Sequence, residues 1–178
     1  NLSYKYNRIN TFLNYGLNAD RRFYDIANHQ QIFEKDGIST ANFLDQHTRF
    51  NDLNTTNTLK LGLDYLVSSR TDLGFGFSGF VSPSTSDYLT NATLRDRDVD
   101  VDSFLTTADH TAMHWQNKLF SGYVIHRFDS TSDLSGDLSF IRYNSTTDQE
   151  ILNTSTDSDH SSIITDRLKI TIPFTIDI

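Results

Sequence analysis

One stretch, residues 59–80, constrains the fold of this chain more than any other. Apolar side chains occupy every second position of its two arms: Leu59, Leu61, Leu63, Tyr65 and Val67, then Leu73, Phe75 and Phe77. This period of two predicts a β-strand in each arm, and the polar residues 68–72 between the arms predict a tight turn. The stretch therefore predicts a β-hairpin with one apolar face and one face of small or polar residues.

The same alternation recurs along the chain, and with it the sequence predicts seven strands. The further alternating positions are Leu2, Tyr4 and Tyr6; Leu13, Tyr15 and Leu17; Leu119, Tyr123 and Ile125; Leu134, Leu138 and Phe140; and Leu168, Ile170, Ile172, Phe174, Ile176 and Ile178. Short polar turns are predicted near residues 7, 68 and 129, and long polar loops are predicted at 27–54, 81–114 and 144–161. Short and long connections thus alternate.

Composition excludes several classes of protein. The net charge of −8 argues against nucleic acid as a partner, because phosphate contact needs a basic surface. Cysteine is absent, which excludes disulfides and thiolate metal sites within these residues. No apolar run approaches the length of about 18 residues that a transmembrane helix requires. A transmembrane β-barrel is compatible with this composition, because its strands give a weak hydropathy signal.

The order of the connections favours a barrel in a membrane. A meander with its short turns at one rim and its long loops at the other has the layout of outer-membrane barrels. The apolar face of the 59–80 hairpin carries no charged residue, and a charge at the bilayer midplane would cost about 2–4 kcal/mol. The sequence therefore predicts an all-β fold, an antiparallel up-and-down meander that forms part of a transmembrane β-barrel.

Three runs of residues also resemble a known family. Residues 64–75, and then 122–130 with 137–144, are similar to successive hairpins of a bacterial outer-membrane β-barrel family related to TonB-dependent receptors. The resemblance implies a barrel of about 22 strands filled by an N-terminal plug. No plug domain or energy-coupling box is recognisable here, so residues 1–178 are expected to be a single internal segment of such a barrel.

What the resemblance implies about function follows from that family. It implies localisation in the bacterial outer membrane, where the strands form the barrel wall in contact with lipid. The long loops would bind an extracellular small molecule, peptide or glycan for uptake. An inner-membrane energy-coupling protein and a surface lipoprotein are the implied protein partners. No cofactor and no enzymatic activity are expected.

Five residues are the candidate ligand contacts: Lys60, Asp64, Asp137, Lys169 and Trp115. The first four alternate with apolar neighbours and are expected to face the barrel lumen. Trp115, with Phe80 and Tyr143, fits either an interfacial aromatic girdle or ordinary core packing. No G-x-S-x-G elbow or phosphate-binding loop is present, and the glycines at 74 and 76 are expected to admit bulky neighbours to the inner wall.

Two clusters invite a metal interpretation, and neither fits well. Aspartates recur at every second position from Asp96 to Asp102, but the spacing lacks the glycine and glutamate of a calcium loop. The favoured interpretation is a solvated acidic segment. His110 and His114, with Asp109 nearby, have a spacing compatible with zinc or iron. Chance pairing is the favoured explanation in a chain with six histidines.

Two alternatives belong to other classes. In a soluble extracellular β-sandwich, an adhesin or carbohydrate-binding module, the apolar faces would pack together and Tyr88, Trp115 and Tyr143 would stack on sugar rings. A lipocalin-like barrel would instead hold a ligand inside. The discriminating feature is whether the apolar face looks outward to lipid or inward to a core.

Overall fold

A computed structural model describes residues 1–33, 40–96, 101–159 and 163–178, with the backbone alone at residues 40 and 41. All regular structure in these residues is β. The seven strands are β1 (Leu2–Tyr6), β2 (Ile9–Phe33), β3 (Thr40–Ser68), β4 (Thr71–Asp96), β5 (Val101–Arg127), β6 (Asp133–Asp157) and β7 (Ile163–Asp177). None of the described residues belongs to a helix that is long and apolar enough to span a membrane.

The seven strands form one sheet in the order β1-β2-β3-β4-β5-β6-β7, and every neighbouring pair is antiparallel. The predicted fold class, an all-β up-and-down meander, is therefore confirmed. The sheet is open, because β1 and β7 are its two edges and do not contact each other in the described residues.

The three long loops predicted from the sequence are wrong. Residues 27–54, 81–114 and 144–161 mostly continue the strands, which reach 25 to 29 residues in β2 to β6. A strand of that length measures roughly 80–95 Å. The prediction failed because these segments are polar on both faces, so they show no apolar period of two even though their backbones pair fully. We call these extensions the arms.

The register defines two faces of the sheet. The belt face carries the apolar residues that lie next to the short turns, and the reverse face carries Lys60, Gly62 and Asp64. Cross-strand partners align the belt in three successive rows across β1 to β6: Leu2, Leu13, Leu61, Phe77, Phe120 and Phe140; Tyr4, Thr11, Leu63, Phe75, Gly122 and Leu138; and Tyr6, Ile9, Tyr65, Leu73, Val124 and Gly136. These three rows contain no charged side chain. A shallow apolar groove of about 810 Å³ runs along the same part of the sheet.

Nothing in the described residues covers the belt. Ala92 is the single apolar residue of the described chain that is buried, whereas Phe75 is 60% exposed and Leu138 is 78% exposed. A β-sandwich needs a second sheet and a lipocalin-like barrel needs closure. The described residues form one open sheet, so they contain neither arrangement.

Strands β5 and β7 depart from the expected pattern. In β5 the predicted alternating positions lie on the reverse face, and they are Leu119, Tyr123 and Ile125. The apolar residues of β7 share that face, because Ile176 pairs with Tyr143 and Ile172 with Thr147. The belt face of β7 instead carries polar residues such as Lys169, which pairs with Glu150. The alternation in β7 was read correctly as a strand, but its apolar side lies opposite to the belt. Only pairing with β6 fixes that choice, since a period of two looks the same for either face.

The short turns are linked to one another along the sheet edge. Asn7 and Arg8 connect β1 to β2, and Asn7 adopts a φ of 52°, which asparagine tolerates better than most residues. The Arg8 guanidinium donates to the carbonyl oxygen of Val67 at 3.1 Å, beside the next turn. Arg70 does the same to Phe128 at 3.3 Å in the turn after that. The second and third short turns are therefore each held by an arginine from the turn before it.

Candidate functional site

The structure brings four of the five candidate residues to one face. Lys60, Asp64, Asp137 and Trp115 all lie on the reverse face. Lys169 was expected beside them and lies on the belt face of an arm instead, where its Nζ is 3.1 Å from Glu150. The error has the same origin as the error in β7, because Lys169 was placed by its apolar neighbours.

Asp64 is the centre of a hydrogen-bond network within the sheet. Asn10 donates from Nδ2 to one carboxylate oxygen at 3.0 Å, and the Tyr123 hydroxyl donates to the other at 3.0 Å. The three residues belong to β2, β3 and β5, so the network ties three strands together and passes across β4. Since both oxygens already accept a bond from the chain, Asp64 has a structural role in this arrangement. Lys60 and Asp137 are exposed nearby.

Two glycines make this network possible. The Tyr123 ring lies across Gly74 of β4, where an added Cβ would come within 1.9 Å of a ring atom. The Phe12 ring lies in the same way across Gly62, also at 1.9 Å from an added Cβ. The sequence-based expectation that glycine admits bulky neighbours is confirmed at Gly74. At Gly76 the nearest atom is only the Ser121 hydroxyl.

Above this network, on the same face, lie two rows of side chains that we call the neutral aromatic rows. From β2 to β7 they are Gly16, Thr58, Phe80, Asn117, Tyr143 and Ile176, and then Asn18, Thr56, Ser82, Trp115, Ser145 and Phe174. Neither row contains a charged side chain. The rows combine aromatic rings with hydroxyl and amide groups across six strands.

Trp115 and Phe80 form the aromatic corner of these rows. Their ring centroids are 4.9 Å apart and the ring planes meet at 87°, an edge-to-face arrangement. Trp115 remains 45% exposed, so the corner is open to a ligand. Trp115 lies on the reverse face, and no layer of the described residues covers it. The girdle and core-packing interpretations both stay predictions.

A chain of hydroxyl groups runs beside the indole. Ser82, the cross-strand partner of Trp115, donates from Oγ to the Asn54 side-chain oxygen at 3.0 Å. The Thr56 hydroxyl lies 2.7 Å from the Ser82 oxygen. Because Ser82 has only one hydroxyl proton, Thr56 is the donor in the second bond. The chain therefore runs from Thr56 to Asn54, and the Asn54 amide nitrogen donates no hydrogen bond to any of the described residues.

Sequence reasoning did not identify Asn54, Thr56 or Ser82. Each lies in a polar stretch where serine, threonine and asparagine are common, so residue type alone gives no signal. The one usable signal was strand parity, which places Asn54 and Thr56 on the same face as Lys60. Their proximity to Trp115 depends on the register between β3, β4 and β5.

The metal interpretations find no geometric support in the described residues. His110 and His114 share the belt face but lie four positions apart on one strand, or about 13 Å. Asp109 points to the reverse face, where Gln149 donates to it at 2.7 Å. No group of three or more potential ligands there is arranged to hold a metal ion. Residues 97–100 of the acidic segment lie outside the described residues.

The belt face of the arms is instead covered by ion pairs. His29 Nδ1 lies 2.5 Å from Asp45, which also contacts Arg95 at 3.0 Å, and His110 pairs with Asp87 at 2.6 Å. The hydrogen bond with His29 lowers the pKa of Asp45, and the charge of Arg95 lowers it further. These exposed pairs stabilise the polar part of the sheet locally.

A similar cluster lies near β7. Arg167 and Lys169 both contact Glu150, and their hydrogen bonds lower the pKa of that carboxyl group. Both clusters lie on the side of the sheet that carries the belt, but far from it along the strands. On the belt face, charged side chains therefore lie only beyond the three apolar rows.

No model of a protein family matches this chain, and no curated protein does. The resemblance to barrels related to TonB-dependent receptors therefore stays a prediction from the residues.

Proposed function

We propose that this chain is a segment of the wall of an outer-membrane β-barrel, with arms that project outside the cell and take part in ligand recognition for nutrient uptake. The observation that carries the proposal is the apolar belt. Its three rows are exposed or half-buried and uncharged, and no second layer of the described residues covers them. An apolar surface of this extent on a soluble sheet would need a covering partner, whereas lipid covers it in a membrane.

The extent of the apolar positions on β2 agrees with this proposal. They continue beyond the three rows, from Ile9 to Leu17, which is about 27 Å along the strand and about 20 Å along the membrane normal at a tilt near 45°. On β5 and β6 the uncharged part ends earlier, because the row that contains Tyr15 carries Lys118 and Arg142 there. The apolar band of an outer-membrane barrel is about 25 Å tall. In this orientation the short turns face the periplasm, and the reverse face with its glycines and polar network lines the lumen.

The arms supply the recognition part of the proposal. Their ion pairs and hydroxyl groups suit water on both faces, and their length carries them far beyond the bilayer. Ligand binding would occur on the reverse face above the belt. The family resemblance adds an inner-membrane energy-coupling protein and a surface lipoprotein as proposed partners.

Single-cysteine labelling in membranes tests the lipid contact, because the 178 residues contain no cysteine. Leu61→Cys on the belt face should react with a lipophilic maleimide and resist a membrane-impermeant one. Lys60→Cys, the adjacent residue on the reverse face, should react with the impermeant reagent. Arg49→Cys is the matched control, since it lies on the belt face but in an arm, and it should also react with the impermeant reagent.

Gel migration supplies a second test of the same proposal. A membrane barrel should require detergent for extraction and should migrate differently after boiling. A protein that is soluble without detergent, with Leu61→Cys as reactive to the impermeant reagent as Arg49→Cys, would contradict the proposal.

A further inference from the structure

The neutral aromatic rows have the features of a ligand site. Trp115 is half exposed and meets Phe80 at 87°, so the two rings form two walls of an open corner. Tyr143 is the diagonal neighbour of Trp115 on β6, within reach of a ligand that contacts the indole. Aromatic faces of this kind pack well against C–H groups of a flat ring.

Hydrogen-bonding groups lie directly beside this corner. The Thr56, Ser82 and Asn54 chain runs along β3 and β4 and ends in the free amide donors of Asn54. An entirely apolar ligand would remove water from these groups without replacing its hydrogen bonds, which is unfavourable. The ligand must therefore carry polar groups next to its apolar faces.

The positions of the charged side chains around the neutral aromatic rows narrow the class of ligand further. On β3 the nearest charged residues on this face are Asp52 and Lys60, and the positions between them are Asn54, Thr56 and Thr58. No charged side chain occurs in the two rows from β2 to β7. Asp20, the cross-strand partner of Asn54 on β2, is paired with Arg22. A charged ligand would find no opposite charge in the two rows themselves and would lose hydration there.

We infer that the neutral aromatic rows bind an uncharged carbohydrate chain, with a sugar ring against Trp115 and its hydroxyl groups on Ser82 and Asn54. A sugar ring has the required combination, since its C–H faces are apolar and its edge is hydroxylated. This inference rests on the proposed function, because it names the ligand class that the proposed barrel recognises.

Calorimetry on the intact protein in detergent tests this inference. The probes are maltohexaose, cellohexaose, mannohexaose and N-acetylchitohexaose. At least one should bind, and Trp115→Ala should weaken that binding by about tenfold through the lost stacking. Ser82→Ala should weaken it by a smaller factor, about threefold.

A matched control separates the site from general damage. Phe23→Ala also truncates an exposed aromatic ring in an arm, but on the belt face, and should leave sugar binding unchanged. Polygalacturonate and a neutral hexapeptide are the charged and peptide comparators and should bind more weakly than the best sugar.

Three results would overturn the inference: no binding of any of the four sugars, binding that Trp115→Ala leaves unchanged, or stronger Trp115-dependent binding of either comparator. The cysteine-labelling pattern at Leu61 and Lys60 is read independently of any ligand. Failure of the carbohydrate inference is therefore distinguishable from failure of the barrel proposal.

Discussion

The belt region and the arms are parts of the same strands, yet different side chains hold them together. Near the short turns, apolar residues fill one face, while the reverse face relies on aromatic rings laid over glycines and on the bonds to Asp64. In the arms, both faces are polar, and cross-strand ion pairs and hydroxyl pairs such as Thr48 with Thr90 take over. One continuous backbone ladder thus passes through two chemical environments.

The difference teaches that the same backbone pairing can form beside apolar or polar side chains, provided that the side chains that face each other across two strands are compatible. The two regions should therefore be destabilised by different kinds of change. The belt region should be sensitive to steric changes, because its network depends on close approach. The arms should be sensitive to charge, because their contacts are exposed and ionic.

The largest effect is expected from Gly74→Val. The new side chain would occupy the space of the Tyr123 ring and break its bond to Asp64. We expect a loss of about 3 kcal/mol in the free energy of unfolding, measured by urea denaturation in detergent. Gly136→Ala is the matched control, because its added Cβ would make an ordinary contact with Val124 at 3.7 Å. Equal losses in the two variants would show that steric space at Gly74 is unimportant.

Tyr123→Phe should have a smaller effect. It keeps the ring over Gly74 and removes only the hydroxyl that donates to Asp64. A loss of about 1–2 kcal/mol is expected, because the acceptor is a half-buried carboxylate. The control is Tyr15→Phe, whose exposed hydroxyl bond to Asn57 should matter less. If Tyr15→Phe proves the more costly of the two, the Asp64 network does not stabilise the sheet.

Asn7→Gly tests the turn at the edge of the belt. Glycine adopts the φ of 52° without strain, so stability should change by only a few tenths of a kcal/mol. Asn7→Val places a β-branched residue in the left-handed region and should cost about 1–2 kcal/mol. Both values come from the same denaturation assay. A valine variant as stable as the glycine variant would mean that the turn relaxes to another conformation.

The smallest effect is expected from acid on the arms. The pKa values of Asp45 and Glu150 are lowered in the folded protein. Their stabilising contribution is therefore present above the unfolded pKa of about 4 and is lost as pH falls through the lowered folded values. Hydrogen-exchange protection factors in the arms should fall below about pH 4, whereas those of the belt region should stay unchanged.

Two substitutions sharpen the acid prediction. In D45N with E150Q, the arms should exchange faster at neutral pH and respond less to acid than the wild-type arms. Acid sensitivity that is undiminished in this variant would assign the effect to other carboxylates.

The sequence was sufficient for the parts of the fold in which one face is apolar. The 59–80 hairpin and the seven-strand count follow from alternation alone, and the glycine at 74 was correctly associated with a close approach. The strands of the arms were not predicted, because a segment with polar residues on both faces shows no apolar period of two. Lys169 was assigned to the wrong face because periodicity defines two faces without naming them, and only the register with β6 does so.

In the candidate site, too, some residues could be predicted from the sequence and others could not. Trp115 was recognisable from its residue type, but its position on the same face as Lys60 and Asp64 follows only from the register of β3, β4 and β5. The Ser82 and Asn54 partners were not recognisable, because their importance comes from lying across the strand boundary from the indole. Single-residue reasoning finds rings and charges more readily than it finds hydrogen-bond chains between neighbouring strands.

The strict neighbour order of the sheet has a mechanical consequence. In the part of the chain that the structure describes, the backbone of each strand pairs only with the strands before and after it in sequence. Hairpins can close one after another without waiting for distant segments to meet, which favours rapid assembly. The same order means that separation starts at an outer strand and proceeds inward, and β4, at the middle of the seven, is the last strand to lose a neighbour.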